Sequence, residues 1–447
     1  MAKHSSQQNS PEAITDALAP RREIFAWAMF DFANSGYTTV VLTAVFNAYF
    51  VSTIAGGPGG FDQGSATFLW TITLAIANGL VLLSSPVIGA IADFRADKKR
   101  FLLITAIGCV TATALLALTG PGDVLWVMVL LIISNFMFAS GEGLIASFLP
   151  ELAPQKDMGR ISGYGWTLGY IGGLLVLGVC LAYVTWAQAQ GHEASSYVPV
   201  TLVITAAAFA IAATPTFLWM KERAQPSPLP VGQGYVRIGF SRLRHTWLRA
   251  HHYQDLFRFL ITLAVFYCGI HTVVVLAAIY AQQVMQFSTQ DILFLVLIVN
   301  ITAALGAFGF GYLQDQLGSV RTLLLTLVIW LAALVIAFFS ESRTEFWVAA
   351  NMIGVAMGSS QSAGRALVGQ FSPPGRSAEF FGLWGLATRT AAIFGPLSYG
   401  FVTYVTQGNH RAAIASTTVF FIVGIVLLLT VNESRGRKAA YNNSSGD

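Results

Sequence analysis

The sequence predicts an all-α membrane protein with twelve transmembrane helices in two pseudo-symmetric six-helix bundles. Composition is the first reason. Of 447 residues 55% are apolar and 10% charged, with a mean hydropathy of +0.63, whereas soluble domains carry about 25% charge. The second is that apolar runs of spanning length, about 20 residues, recur between charged or Gly/Pro-rich breaks. The third is an internal duplication at a constant offset. The net charge of +4 is modest, and no nucleic-acid partner is expected.

The chain opens with a polar stretch rich in Ser, Gln and Pro, to about Ala19. It lacks an apolar core with a small-residue cleavage site, so no removable signal peptide is expected. Residues 1–22 read as a disordered cytoplasmic tail. The first bundle, 23–220, comprises spans Glu23–Thr53, Ser65–Asp93, Phe101–Leu118, Val124–Leu149, Ile161–Ala187 and Tyr197–Met220. The loop TIAGGPGGFDQG separates the first two spans, and DFRADKKR the second and third. Residues 221–254 form the one long connection, with Pro226, Pro228 and Pro230 followed by the basic stretch SRLRHTWLRAHH. The second bundle, 255–432, comprises Asp255–Met285, Asp291–Gln314, Val320–Phe339, Phe346–Gln370, Glu379–Val405 and Ala412–Val431. A tail, 433–447, follows with ESRGRK. Cys109, Cys180 and Cys268 lie far apart in apolar segments, fit no metal spacing, and read as buried packing thiols.

Lys and Arg set the orientation. The tails and the even-to-odd loops hold 20 of the 25, the opposite loops only Arg343 and Arg411, and Arg258, Arg365 and Arg389 lie in or beside spans. Cytoplasmic loops carry the excess, so both termini and the linker are expected in the cytoplasm. The linker's basic stretch reads either as an amphipathic helix on the membrane surface or as plain charge bias.

Gly89 and Asp93 recur as Gly311 and Asp315, 222 residues later, and Gly163 and Gly173 as Gly385 and Gly395. YTTVVL (37–42) is echoed by HTVVVL (271–276) at an offset of 234, the difference being absorbed by the longer loop after span 1. Two parallel halves place a substrate site between them near the midplane, with the halves rocking about it. The second copy of the loop, GYLQDQLGSVR, shows G-x-x-x-D followed by a Gly and Arg321. The first, GAIADFRADKKR, keeps Gly89, Asp93 and the trailing cations. Glycine permits close helix approach and an acid can meet a neighbouring helix's N-terminal dipole. These residues therefore read as gating and packing elements.

That loop pattern is the signature of the major facilitator superfamily, which the whole chain resembles. FAWAMFDFANSGYTTVVLTAVF, GRISGYGWTLGYIGG and PPGRSAEFFGLWGLATRTAAIFGPL resemble the matching segments of the vacuolar amino-acid effluxer-like (autophagy-related 22-like) family. The resemblance implies export of small molecules, with amino acids the substrate class of the eukaryotic branch. The chain lacks the large extra loops of that branch and has no Asn-x-Ser/Thr site in a non-cytoplasmic loop, which points to a bacterial member in the inner membrane.

Ionisable side chains inside spans are functional candidates, since each costs at least about 2.5–3.5 kcal/mol at mid-helix. Asp31 lies about 12 Å into span 1 at 1.5 Å per residue. Asn34, Ser35 and Thr38 follow at i+3, i+4 and i+7, which places all four on one face. That stripe either lines a cavity, binding a cationic group or carrying a proton, or fixes helix packing by hydrogen bonds. Glu142 and Arg365 occupy nearly equivalent places in the two halves, and suggest either a pair across the halves or separate pairing within each. Arg389, near mid-depth of span 11, suits a carboxylate of Asp31 or of a substrate. His271 suits a proton relay or a plain buried hydrogen bond. Trp166 and Tyr170 share a face at i,i+4, with Tyr164 nearby, for stacking on a substrate or for packing.

These residues read as a secondary transporter working by alternating access on a small polar metabolite, an amino acid or similar zwitterion, with protons as the coupling ion and lipids around a monomer. No G-x-x-x-x-G-K-[ST] loop appears, so ATP is not the driver and no cofactor is expected. No metal-ligand or nucleophile–base constellation supports an enzyme. A non-transporting receptor and a lipid flippase on the same fold stay open.

Overall fold

The computed structural model describes residues 17–57, 59–224, 226, 234–248 and 251–441. Most of the expected N-terminal tail (1–16), Pro228 and Pro230 of the linker, and residues 442–447 lie outside the described residues. Every regular element among the described residues is a helix. In order these are α1 (Arg21–Ile54), α2 (Gln63–Arg95), α3 (Lys98–Leu116), α4 (Val124–Ala146), α5 (Met158–Ala189), α6 (Ala194–Trp219), α7 (Tyr235–Leu248), α8 (Gln254–Gln283), α9 (Thr289–Leu317), α10 (Ser319–Phe339), α11 (Arg343–Phe371), α12 (Ser377–Val405), α13 (His410–Leu428) and α14 (Glu433–Tyr441). Short turns of helix lie between α4 and α5.

Among the described residues ten helices are long and apolar enough to cross a membrane, falling on α1 to α6, α8, α9, α10 and α13. The other two long helices, α11 and α12, have 29 residues each. They are more polar because α11 carries Asn351, Ser359, Ser360, Gln361, Ser362 and Arg365, and α12 carries Glu379 and Arg389. The expected apolar runs coincide with these helices, which often continue into the charged flanks, as in Gln63–Arg95 against Ser65–Asp93. Capping explains some starts. Ser288 with Asp291 and Ser342 with Glu345 form reciprocal capping boxes at α9 and α11.

Two features differ from the sequence reading. The first is in α1, which changes to π-helical turns at Thr38–Ala44 and Phe50–Ile54. The Thr38 and Thr39 hydroxyls donate to the Asn34 and Ser35 carbonyls at 3.0 and 2.8 Å, and such back-bonding loosens the regular ladder. The second is α14, a helix where a plain tail was expected.

Two apolar cores hold the chain. One is built almost wholly from residues 19–220, around Trp27, Phe30, Leu102 and Phe148. The other comes almost wholly from 253–431, around Phe259, Phe266, Trp330 and Phe421, with Ala146 joining it from the first half. Large apolar side chains such as Leu83, Ile211, Phe339 and Tyr404 are mostly exposed, which suits a hydrocarbon surround. Cys109, Cys180 and Cys268 are buried free thiols. The halves meet chiefly where α2 lies against α12 and α5 against α9.

Each half also ties its own end to its middle. Glu222, just past α6, accepts the Lys98 and Lys99 amides at the start of α3 at 2.9 and 2.8 Å. Glu433, just past α13, accepts the Val320 amide at the start of α10 at 3.0 Å. These carboxylates satisfy helix N-terminal donors that lack intrahelical partners. Glu222→Gln and Glu433→Gln should each cost about 0.5–2 kcal/mol, the range for a lost N-cap, read as lower melting temperatures of the purified protein. An unchanged melting temperature in both would remove this role.

Candidate functional site

Asp31 and Arg365 meet across the halves. Arg365 Nη1 donates to Asp31 Oδ2 at 2.6 Å, with side-chain exposures of 3% for the arginine and 11% for the aspartate. The rest of the guanidinium is also engaged. Nε donates to Ser162 Oγ at 3.1 Å and Nη2 to the Ser162 carbonyl at 2.8 Å. Ser162 Oγ in turn donates to the Ser362 carbonyl at 2.8 Å. The guanidinium carbon lies 4.7 Å from the Trp27 ring centroid and 5.4 Å from that of Trp166, a cation–π arrangement. Close approach of α1 and α5 makes the pair possible: a Cβ on Gly165 would fall 2.3 Å from Asp31 Oδ2 and 2.5 Å from Arg365 Nη2.

Glu142 and Arg389 form a second pair across the halves, Arg389 Nη2 to Glu142 Oε2 at 2.5 Å. This one is more open, with exposures of 17% for Arg389 and 31% for Glu142. His271, half-buried on α8, lies edge-on to Tyr267 with centroids 5.9 Å apart and within electrostatic reach of Arg389. The Tyr267 hydroxyl is buried without a hydrogen-bond partner among the described residues, within electrostatic reach of Glu142 and Arg365. Tyr170 donates to Gln361 Oε1, and its ring lies 5.9 Å from that of Trp166.

The partners are therefore crossed relative to the sequence reading. Glu142 does not meet Arg365, Arg389 does not meet Asp31, and neither charge pairs within its own half. The 222-residue offset identifies equivalent helices, but equivalent helices need not touch. Here α4 lies beside α12, and α11 beside α5. The polar stripe on α1 also divides. Ser35 faces α5, its hydroxyl 3.0 Å from where a Cβ on Gly169 would stand. The Thr38 hydroxyl turns to its own backbone, and both amide atoms of Asn34 are buried without partners among the described residues. Sequence reasoning missed Trp27, Ser162 and Tyr267. The glycines at 165, 169, 172 and 173 were the available signal that α5 lies unusually close to a neighbour.

On the side of the basic loops the halves are sealed twice over. Asp93 accepts the amides of Ala378 and Glu379 at 3.1 and 2.8 Å, at the first turn of α12. Asp315 accepts those of Gly159 and Arg160 at 2.9 and 3.2 Å, at the first turn of α5. Each carboxylate thus caps a helix of the opposite half, where the dipole favours an anion. Gly89 lies so close that a Cβ would stand 2.1 Å from the Ala378 carbonyl oxygen, and a Cβ on Gly311 3.0 Å from Arg160 Cα. Lys98, fully buried, bonds Glu151 and donates to Ser377 Oγ at 3.0 Å. Arg321, the counterpart of Lys99 in the expected motif, is exposed and makes no hydrogen bond or ion pair among the described residues.

The linker helix α7 braces this seal. Its Tyr235 ring lies 6.4 Å from that of Phe94, and Arg242 stacks 4.9 Å over Phe94. At its other end Thr246 donates to Glu379 and accepts from Arg376 at the start of α12. Thr246→Val should loosen this brace, giving faster protease cleavage of the linker at unchanged melting temperature. Equal cleavage rates would argue against it.

Solved structures share this fold. The proton:xylose symporter XylE bound to 6-bromo-6-deoxy-D-glucose superposes with a TM-score of 0.70 at 15% identity, covering 93% of this chain and 96% of that one. A bacterial homologue of the iron transporter ferroportin in the outward-facing state gives 0.67 at 13% identity, covering 92% and 99%. The human organic anion transporter MFSD10 gives 0.65 at 14%, covering 92% and 100%. The chain is an all-α membrane protein with the fold of these major facilitator structures. Residues 59–441 match the vacuole effluxer Atg22-like family, and the chain belongs to it. The uncharacterized MFS-type transporter YxiO of Bacillus subtilis (strain 168) is 28% identical over 410 residues, 91% of this chain and 94% of that protein. Autophagy-related protein 22-1 of Aspergillus niger is 23% identical over 306 residues, 64% of this chain and 49% of that protein, so the chain spans about half its length.

Proposed function

We propose that the chain exports a small polar zwitterion of the amino-acid class, driven by the proton gradient, across a bacterial inner membrane. Twelve spans form two six-helix bundles, 23–220 and 255–432, joined by the linker at 221–254. Both termini lie in the cytoplasm, and the protein works as a monomer. The observation that carries the reading is the pair of ion bridges, Asp31–Arg365 and Glu142–Arg389, each joining one half to the other. Buried charge of both signs at the junction of two moving halves suits a substrate that itself carries both signs, because breaking such a pair without replacement is costly. The seal by Asp93 and Asp315 supports a form closed to the cytoplasm. When the halves part, Asp31 is freed from Arg365 and becomes the group to carry the coupling proton.

The test is uptake of a radiolabelled panel of the twenty common amino acids into proteoliposomes, with and without an imposed pH gradient. Uptake of at least one, accelerated by the gradient, is expected. No flux of any zwitterion would remove the substrate class, and flux indifferent to the gradient would remove the proton.

A further inference from the structure

The geometry points to Glu142 and Arg389 as the two-ended receptor for the zwitterion, its ammonium on Glu142 and its carboxylate on Arg389. Asp31–Arg365 is then left to the coupling proton and does not touch substrate. This assignment rests on the proposed zwitterion transport and decides which of the two bridges the substrate opens.

The two pairs differ in how much of their bonding capacity is spent. Arg365 is 3% exposed, uses Nη1, Nε and Nη2 on Asp31 and Ser162, and lies between two tryptophan rings. No approach is left for a ligand. Arg389, among the described residues, makes one hydrogen bond, and Glu142 accepts that one alone. A guanidinium has five donors and a carboxylate about four acceptor sites, so each keeps most of its capacity free. Both are also more exposed, at 17% and 31%. The unpartnered Tyr267 hydroxyl is within electrostatic reach of Glu142, and His271, edge-on to Tyr267, within reach of Arg389, giving polar groups near the pair that the resting protein leaves unused.

Charge balance then sets the selectivity. A zwitterion entering between the partners leaves each buried charge with an opposite neighbour, and its carboxylate matches the guanidinium fork. A plain amine would leave Arg389 unmatched, and a plain carboxylate would leave Glu142 unmatched. Because the bridge joins α4 to α12, the ligand takes over as the contact between the halves. In its absence Glu142 and Arg389 neutralise each other, so the empty carrier can close and return. Net flux, and not obligatory exchange, follows from that self-pairing.

The experiment uses proteoliposomes of the full chain and a carbon-14-labelled mixture of L-amino acids as probe. Unlabelled amino acids should compete with uptake, while the matching decarboxylated amines and N-acetylated acids should compete on the order of 100-fold more weakly, as when a site is left with an unpaired polar group. Glu142→Gln and Arg389→Gln should each lower uptake by a similar factor. The charge-swapped double variant, Glu142→Arg with Arg389→Glu, should regain the melting temperature lost by the single variants without regaining uptake, because the ligand's ends now meet the wrong partners. Restored uptake in the swap would make the pair a mere latch and overturn the assignment, as would equal competition by one-charged analogues in the wild type, a readout independent of variant folding. A wild type that moves no amino acid overturns the broader reading and this one together, whereas wild-type uptake with a rescued swap overturns this one alone.

Discussion

Arg365→Ala will lose about 3–5 kcal/mol of stability, the cost of stranding one partner of a buried ion pair, and transport will fall to background. Truncation leaves Asp31 facing no cation, frees the Ser162 hydroxyl and carbonyl of their guanidinium donors, and empties the space between Trp27 and Trp166. The double variant Asp31→Asn with Arg365→Met should recover much of the loss, since removing both charges in favour of neutral side chains of similar volume is often neutral or stabilising. It should not recover proton-driven flux, because Asp31 no longer titrates. Thermal melting in detergent, followed by uptake in proteoliposomes, separates the two effects. An Arg365→Ala protein that melts with the wild type would show that the pair holds nothing together.

Gly89→Ala will drive the protein toward the form open on the side of the basic loops. The added methyl would stand 2.1 Å from the Ala378 carbonyl oxygen and 2.5 Å from its carbon. Both are backbone atoms at the start of α12, so no side-chain rotation relieves the clash, and the helix must move away. Asp93 then loses its two amide donors, and the seal on that side weakens as a unit. A cysteine placed at Ser85, which lines the narrow crevice between α2, α4 and α12, reports the change. Its labelling by a membrane-impermeant maleimide should be about tenfold faster in the Gly89→Ala background, corresponding to a population shift of about 1.4 kcal/mol. Unchanged labelling would mean that the close contact at Gly89 does not decide the closed form.

How much of this was legible in the sequence depends on the kind of physical signal. Asp31 and Arg365 stood out because charge in an apolar run is expensive wherever the helix lies. Gly89 and Asp93 stood out because the 222-residue repeat gave them counterparts. The pairing was hidden, since a repeat says which positions are equivalent and leaves open which helices touch. Trp27 was hidden because an aromatic in an apolar helix reads as packing, and nothing local says that a guanidinium will lie against it. The π turns of α1 turn on where two threonine hydroxyls point, and a hydroxyl has two choices in any helix. Helix α14 was missed because ESRGRK is short and charged, and Glu433 takes its place through the distant amide of Val320.

The carboxylates of Glu222 and Glu433 give the molecule a property that can be put to use. Each clasps the end of its half to the same half's third helix, so neither half depends on covalent continuity with the other to keep its rim intact. A gene cut between codons 226 and 234 would therefore encode two self-clasped pieces, able to find one another in the membrane and restore a working carrier from two polypeptides.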